Sequence, residues 1–140
     1  MGWHDYQALK EVSQANRAFY EAFSAGDYEA MVELWLDEDS IVCVHPGGEV
    51  LQGRLKVHGS WRAILSDESQ MQISLVDAQF QVAGEVAWVT LTERLHYGPP
   101  EDRRQAETTA TNLFQKRGGR WWMVLHHAGP LARRFFEPEE

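Results

Sequence analysis

The sequence predicts an α+β domain in which three helices precede four long antiparallel strands. Apolar residues recur at helical spacing through the first half of the chain, up to about residue 65. The pattern then changes to alternating apolar and polar residues, and glycine-containing turns separate the alternating runs. Because helices come first and strands follow, we expect the helices to pack on one face of a curved, cone-shaped sheet. The length of 140 residues suits a single domain spanning residues 1–140.

Two helices are predicted at the start of the chain. Residues 5–25 keep a 3.6-residue apolar rhythm, in which Tyr20 falls on the apolar side. Gly26 suits a left-handed helix cap, and Asp27 is a good N-cap for a following helix. The second helix is therefore predicted over residues 28–36.

A short strand and a third helix follow in the central part of the chain. Residues 41–44 form an apolar run, which Pro46 and two glycines end. Residues 50–51 give a short extended segment. The third helix is predicted from Gly53 to about Ser66, because its apolar residues lie at i, i+4, i+7 and i+8.

The second half of the chain predicts two hairpins joined by a polar loop. The Gly118-Gly119 pair suits a type I′ turn, and Gly84 marks the other hairpin. The predicted strands cover residues 73–82, 86–97, 106–116 and 121–128.

Hairpin register then predicts which strand residues share a face, because side chains alternate with a period of two. The turns predict that Glu85 lies opposite Val82, Tyr97 opposite Ala106 and Arg117 opposite Arg120. The predicted core face carries Val76, Ala78, Phe80, Ala87, Val89, Leu91, Glu93, Ala110, Asn112, Phe114, Trp121, Met123, Leu125 and His127. The predicted outer face carries Leu75, Asp77, Gln79, Trp88, Thr90, Thr92, Arg94, Thr109, Thr111, Gln115, Trp122, Val124 and His126.

Three polar residues interrupt the predicted core face near one end, and they are the candidate catalytic residues. Buried polar groups need partners, so Glu93, Asn112 and His127 together predict a cavity. Glu93 would act as a general acid or base, and His127 would move a proton with it. Asn112 would donate to a developing oxyanion. The alternative for Glu93 is a salt bridge or a register slip that exposes it. The alternative for His127 is a core histidine whose hydrogen bonds are satisfied. The alternative for Asn112 is an asparagine that completes a polar network.

Further residues are candidates for contact with a small, mostly apolar ligand. The predicted wall consists of Val89, Leu91, Phe114, Met123 and Leu125. His45 ends the central strand and either contacts the ligand or hydrogen-bonds the backbone in a turn. Two tryptophans, Trp35 and Trp61, are interpreted either as core aromatics or as platforms that contact a substrate.

Composition and spacing argue against several classes of function. The formal net charge of −8 argues against nucleic acid and anionic membranes as partners. No metal and no cofactor is expected, because the sequence has no CxxC, HExxH, P-loop or dinucleotide spacing. The single cysteine, Cys43, fits a reducing compartment, and the start of the chain lacks a secretory signal pattern. We therefore expect a cytoplasmic protein that does not insert into membranes.

Four short segments of the chain resemble a known protein superfamily, and the resemblance covers nearly the whole chain. The segments are AFSAGD at residues 22–27, HPGG at 45–48, LQGR at 51–54 and WWMVLHH at 121–127. Together with the element order, they resemble the nuclear transport factor 2-like (NTF2-like), or SnoaL-like, superfamily. The last segment is similar to the terminal strand of the calcium/calmodulin-dependent kinase association domain. That strand usually ends in His-x-Ser, whereas this chain has His127-Ala128-Gly129.

The resemblance implies two classes of function, because the superfamily includes isomerases, dehydratases, cyclases and non-enzymatic binding domains. The first hypothesis is an enzyme without cofactor, acting on an apolar substrate that bears a carbonyl or hydroxyl. The second is a non-catalytic ligand-binding or oligomerisation domain. The predicted outer face favours a homodimer, since Trp88, Gln115 and Trp122 would lie side by side. The alternative is that the chain's own tail, with its two phenylalanines at residues 135–136, covers this face.

Overall fold

The protein has an α+β fold, in which three helices lie on a six-stranded sheet. The computed structural model describes residues 3–66 and 71–131. The helices are α1 (Trp3–Ala25), α2 (Tyr28–Leu34) and α3 (Arg54–Leu65). The strands are β1 (Val42–Val44), β2 (Leu51–Gln52), β3 (Gln72–Ala83), β4 (Val86–Tyr97), β5 (Arg104–Arg117) and β6 (Arg120–Pro130). The predicted fold class and element order are confirmed.

The sheet has the strand order β2-β1-β6-β5-β4-β3. Neighbouring strands are antiparallel except β1 and β6, which are parallel. The β5–β6 turn is the predicted two-residue turn: Arg117 pairs with Arg120, and both glycines between them have positive φ angles, 60° and 78°. The other two predicted pairings are wrong, because Val82 pairs with Ala87 instead of Glu85 and Tyr97 pairs with Arg104 instead of Ala106. Each shift is two residues, so it leaves the predicted faces of β4 and β5 unchanged. We call the face covered by the helices the inner face and the opposite one the outer face.

Helix α1 forms the largest helical contribution to the core. Its buried side chains lie at helical spacing and include Val12, Phe19 and Tyr20. Trp61 of α3 is fully buried and packs edge-to-face against Phe19 and Phe23, with ring centroids 5.4 and 5.0 Å apart. Among the described residues, no helix is long and apolar enough to cross a membrane.

A β-bulge in β6 reverses part of the predicted register. Leu113 pairs with Leu125, but Phe114 pairs with Met123, so Val124 is an extra residue in the strand. Because side chains alternate with a period of two, one extra residue moves every later side chain to the other face. The predictions that Leu125 and His127 lie on the inner face are therefore wrong.

The same bulge places His126, which was predicted on the outer face, in the core. His126 is 1% exposed and pairs with Asn112, whereas His127 is exposed and pairs with Thr111 on the outer face. The predicted cluster of Glu93, Asn112 and His127 on one face is thus corrected to Glu93, Asn112 and His126.

A second bulge lies in β3. Val76 pairs with Thr92 and Gln79 pairs with Thr90, which leaves two residues of β3 opposite Leu91. Asp77, inside the bulge, has a φ of +54°, a strained conformation for a residue with a side chain. Leu75, predicted on the outer face, therefore shares the inner face with Glu93, and Val76, predicted in the core, shares the outer face with Thr92.

The outer face carries a row of apolar side chains across four strands. Trp88 pairs with Leu113, Leu113 with Leu125, and Leu125 with Val42. The prediction that Trp88 lies in one row with Gln115 and Trp122 is therefore wrong, since Gln115 pairs with Val86 and with Trp122. Trp88 is 36% exposed. The two phenylalanines at 135–136 that were considered as a cover for this face lie outside the described residues.

The bulge in β6 predicts that substitutions of two adjacent histidines change the free energy of unfolding by very different amounts. His126→Ala removes a buried ring and leaves its asparagine partner unsatisfied, so we expect a loss of about 2 kcal/mol or more in the free energy of unfolding. His127→Ala alters an exposed position and should change the free energy of unfolding by about 0.5 kcal/mol or less. Urea denaturation of both variants measures this, and the reverse ranking would contradict the register.

Candidate functional site

Glu93 is a buried carboxyl group held by two hydroxyl groups from different elements. Its side chain on β4 is 2% exposed. Oε2 accepts a hydrogen bond from the Tyr20 hydroxyl of α1 at 2.6 Å, and Oε1 accepts one from the Thr108 hydroxyl of β5 at 2.6 Å. Burial raises the pKa of Glu93 above its usual value, and the hydrogen bonds from Thr108 and Tyr20 offset part of that rise.

A chain of hydrogen bonds continues from Tyr20 to β6. The Asn112 amide donates to the Tyr20 oxygen at 3.1 Å and to Asn16 Oδ1 at 2.9 Å. Asn112 Oδ1 lies 2.6 Å from His126 Nδ1. Because an amide oxygen only accepts, His126 Nδ1 carries a proton and donates it. The network therefore links α1, β4, β5 and β6 through polar side chains alone.

The protonation states of His126 and Tyr20 follow from their burial. Burial lowers the pKa of His126 to about 3, so the ring is neutral and its Nε2 carries a lone pair in place of a proton. Burial and the charge of Glu93 raise the pKa of Tyr20 far above its usual range. Tyr20 consequently keeps its proton at all ordinary pH values.

A cleft of about 750 Å³ lies between α1 and β3 and reaches Tyr20. Its lining is partly apolar, from side chains such as Ile73 and Leu75, and partly polar; the other lining residues are Arg17, Glu21, Ser24, Ala25, Met71 and Gln72. Leu75 is the cross-strand partner of Glu93 on the inner face. The cleft is therefore lined by Tyr20 and Leu75, the hydrogen-bond partner and the cross-strand partner of the buried Glu93.

His45 lies on the other side of the core, near His126. Its Nε2 is 2.9 Å from the Ser60 hydroxyl, which itself donates to the Val57 carbonyl at 2.7 Å. Since the Ser60 proton is already used, His45 Nε2 is the donor. The His45 ring is 4.9 Å from the Trp61 ring, and burial lowers the pKa of His45. His45 thus has a side-chain partner in the interior and is more than a turn residue.

The cysteine next to this histidine is not a nucleophile. Cys43 is fully buried, and its sulfur lies 3.5 Å from His45 Nε2. Burial raises the pKa of the Cys43 thiol to about 12, so the sulfur stays protonated. Among the described residues, no group of three or more histidine, cysteine or acidic side chains could hold a metal ion.

The structure places the remaining predicted ligand contacts in the core. Leu91, Phe114 and Met123 are buried on the inner face, as the register predicted. Trp35 and Trp61 are 2% and 0% exposed, which agrees with the interpretation as core aromatics. None of these five side chains lines the cleft between α1 and β3.

Sequence reasoning missed four members of the polar network, although the local sequence pattern indicates three of them. Tyr20 was assigned to the apolar side of its helix, although a buried tyrosine hydroxyl needs a partner. Asn16 interrupts the same side, and Thr108 continues the alternation that places Asn112 on the inner face. His126 left no local signal, because the bulge that turns it inward depends on strand pairing.

Comparison with known proteins gives one family match and several similar proteins. The sequence profile of the SnoaL-like domain family matches residues 12–132. A structure of a proposed dehydratase of the NTF2-like family from Streptomyces avermitilis is 35% identical, with a TM-score of 0.84, and the match covers 90% of this chain and 97% of that one. A proposed calcium/calmodulin-dependent protein kinase type II association domain from Thiobacillus denitrificans is 31% identical, with a TM-score of 0.73, covering 84% and 93%.

A longer protein is also similar. The F-box protein SKIP8 of Arabidopsis thaliana is 30% identical over 132 residues, which are 93% of this chain and 54% of that protein. The chain therefore spans about half the length of this curated relative.

Stability should fall in acid because of His126. Its pKa is about 3 in the folded protein against an ordinary value of 6.5, so between these values only the unfolded chain takes up the proton. The free energy of unfolding should therefore fall by up to about 1.4 kcal/mol per pH unit below pH 6.5. Glu93, with a raised pKa, opposes this loss, because the folded protein takes up that proton at the higher pH.

The variant His126→Gln isolates this effect, since the other titrating groups remain in both proteins. Its free energy of unfolding, measured in urea between pH 7 and pH 4, should decline less steeply than that of the unaltered protein. Parallel curves would show that His126 does not take up a proton on unfolding.

Proposed function

The chain belongs to the SnoaL-like domain family, and we propose that it binds a small, mostly apolar organic molecule in the cleft between α1 and β3. The observation that carries the proposal is the buried carboxyl group of Glu93, which accepts hydrogen bonds from Thr108 and from Tyr20, a residue that lines this cleft. An apolar cleft with a few converging polar groups is the usual form of a small-molecule site.

In this proposal, Glu93 exchanges a proton with the bound molecule. Burial raises its pKa above the usual value, and a carboxyl group with a raised pKa is better suited to accept a proton and return it. Tyr20 and Asn112 fix the orientation of the carboxyl group through hydrogen bonds. The imidazole that supports the network is His126, because His127 lies on the outer face.

The similarity to a proposed dehydratase supports a reaction of this kind. Elimination of water requires one group that removes a proton and a source of a proton for the departing hydroxyl. A carboxyl group with a raised pKa can do both in turn, because it removes the proton as a carboxylate and returns it to the departing hydroxyl as a carboxylic acid. Dehydration or isomerisation of a carbonyl- or hydroxyl-bearing substrate is therefore the reaction class that we propose.

The cleft can be tested with substitutions at two leucines. Leu75→Asp puts a charge into the cleft, whereas Leu55→Asp puts the same charge at a position on α3 that is 89% exposed. A panel of small cyclic ketones and alcohols, screened by ligand-observed NMR, should yield binders that Leu75→Asp weakens about tenfold or more and Leu55→Asp does not. The cleft would be contradicted as the site if both variants weakened the affinity equally, or if neither variant changed it.

Catalysis can be separated from binding with Glu93→Gln, which keeps the shape and removes the charge. For any panel member that the protein converts, turnover should fall about 10²–10⁴-fold while binding changes little. Glu107→Gln is the matched control on β5, because Glu107 pairs with Arg94 away from the cleft. Unchanged turnover in Glu93→Gln would remove the catalytic role and leave a binding domain.

A second candidate function is self-association through the outer face. We propose a homodimer in which the apolar row from Trp88 to Val42 meets its counterpart, together with Gln115 and Trp122, which pair with each other in the neighbouring row of the same face. Large aromatic side chains at a partly exposed surface favour interfaces. The similarity to a proposed kinase association domain supports this assignment.

The double variant Trp88→Glu, Trp122→Glu tests the dimer. Two like charges on each copy would face one another across the interface, so light scattering at micromolar concentration should give the monomer mass. Leu55→Glu, at an exposed position on α3 and outside the outer face of the sheet, should stay a dimer. A monomer for the unaltered protein would exclude the proposal directly.

A further inference from the structure

The directions of the hydrogen bonds around Glu93 determine what a ligand can offer there. Tyr20 and Thr108 each direct their single hydroxyl proton at the carboxyl group. Asn112 uses its two amide protons on Tyr20 and Asn16. Every proton of this part of the network is therefore committed, and the groups that retain bonding capacity are lone pairs on the carboxyl group and on the Tyr20 oxygen.

The carboxyl group also has no positive partner among the described residues. Its hydrogen-bond partners, Tyr20 and Thr108, are both uncharged. The next residue, Arg94, pairs with Glu107 at 2.9 Å on the outer face. His126 is neutral, as its lowered pKa requires.

The outer part of the cleft adds no net charge. Arg17 and Glu21, from successive turns of α1, both line it and carry opposite charges. The lining otherwise consists of uncharged side chains. The unbalanced charge near the cleft is therefore the carboxylate of Glu93.

We propose that the ligand of this cleft carries a hydrogen-bond donor, preferentially a protonated amine, that contacts Glu93, while its apolar body lies along Ile73 and Leu75. This inference rests on the proposed small-molecule site and names the chemical class that the site selects. An ammonium group supplies both the proton and the charge that the network lacks, and charge-assisted hydrogen bonds are about twice as strong as neutral ones.

Binding and the ionisation of Glu93 then support each other. Burial disfavours the charged carboxylate, which is the main cause of its raised pKa. A cation in contact with the carboxylate favours the charged form, so the amine stabilises the ionisation that attracts it. A carboxylate ligand meets like charge and lone pairs, and the site should reject it.

Three compounds of nearly equal shape test the inference: benzylamine, benzyl alcohol and benzoate. Their affinities for the full chain are measured by ligand-observed NMR and calorimetry at pH 7.5. We expect benzylamine to bind tightest and benzoate weakest, with the two separated about tenfold or more. The preference should persist in 0.5 M sodium chloride, because partly buried pairs are screened less than surface charges.

Variants locate the preference at Glu93. Glu93→Gln should bring the affinities of benzylamine and benzyl alcohol to within about threefold of each other. Glu107→Gln, which removes a carboxylate on the outer face, should keep the amine preference. Thermal unfolding of each variant confirms that it is folded, and the ranking in the unaltered protein is decisive without any variant.

The possible outcomes separate this inference from the proposed function. If benzoate binds as well as benzylamine, or if salt removes the amine preference, the inference is overturned and the cleft remains a ligand site. If none of the three binds while neutral ketones or alcohols do, the inference alone fails. If no compound of either panel binds, the proposed function fails together with it.

Discussion

The carboxyl group of Glu93 and its two hydroxyl donors form the interaction on which the rest of the structure depends. A buried carboxyl group requires partners, and Tyr20 is 73 residues away in sequence. Satisfying Glu93 therefore fixes one position of α1 against β4, and Asn112 and His126 extend the constraint to β5 and β6. A partly satisfied polar network in a core is unfavourable, so these contacts form together.

The position of α1 in turn creates the cleft. The bulge in β3 directs Leu75 to the inner face, where it is the cross-strand partner of Glu93 and remains 38% exposed. The cleft beside α1 thus adjoins the most polar part of an otherwise apolar core. The same group that determines how the helix packs is the group that a ligand would meet.

The two faces of the sheet have separate chemistry. The inner face carries the polar network, while the outer face carries the apolar row that includes Trp88 and Leu125. Alternation along a strand lets adjacent residues serve different surfaces, as His126 and His127 show. The proposed ligand binding and the proposed self-association therefore use different surfaces of the sheet.

The sequence by itself determined the elements, their order, the β5–β6 turn and the inner face of β4 and β5, including Glu93 and Asn112. These features depend on local alternation and on turn residues such as Gly118, which short stretches of sequence specify. The tertiary structure decided that His126, and not His127, faces the core, that Tyr20 is the partner of Glu93, and where the cleft lies. A bulge and a long-range hydrogen bond depend on contacts between distant segments, and the period of two converts one extra residue into a change of face.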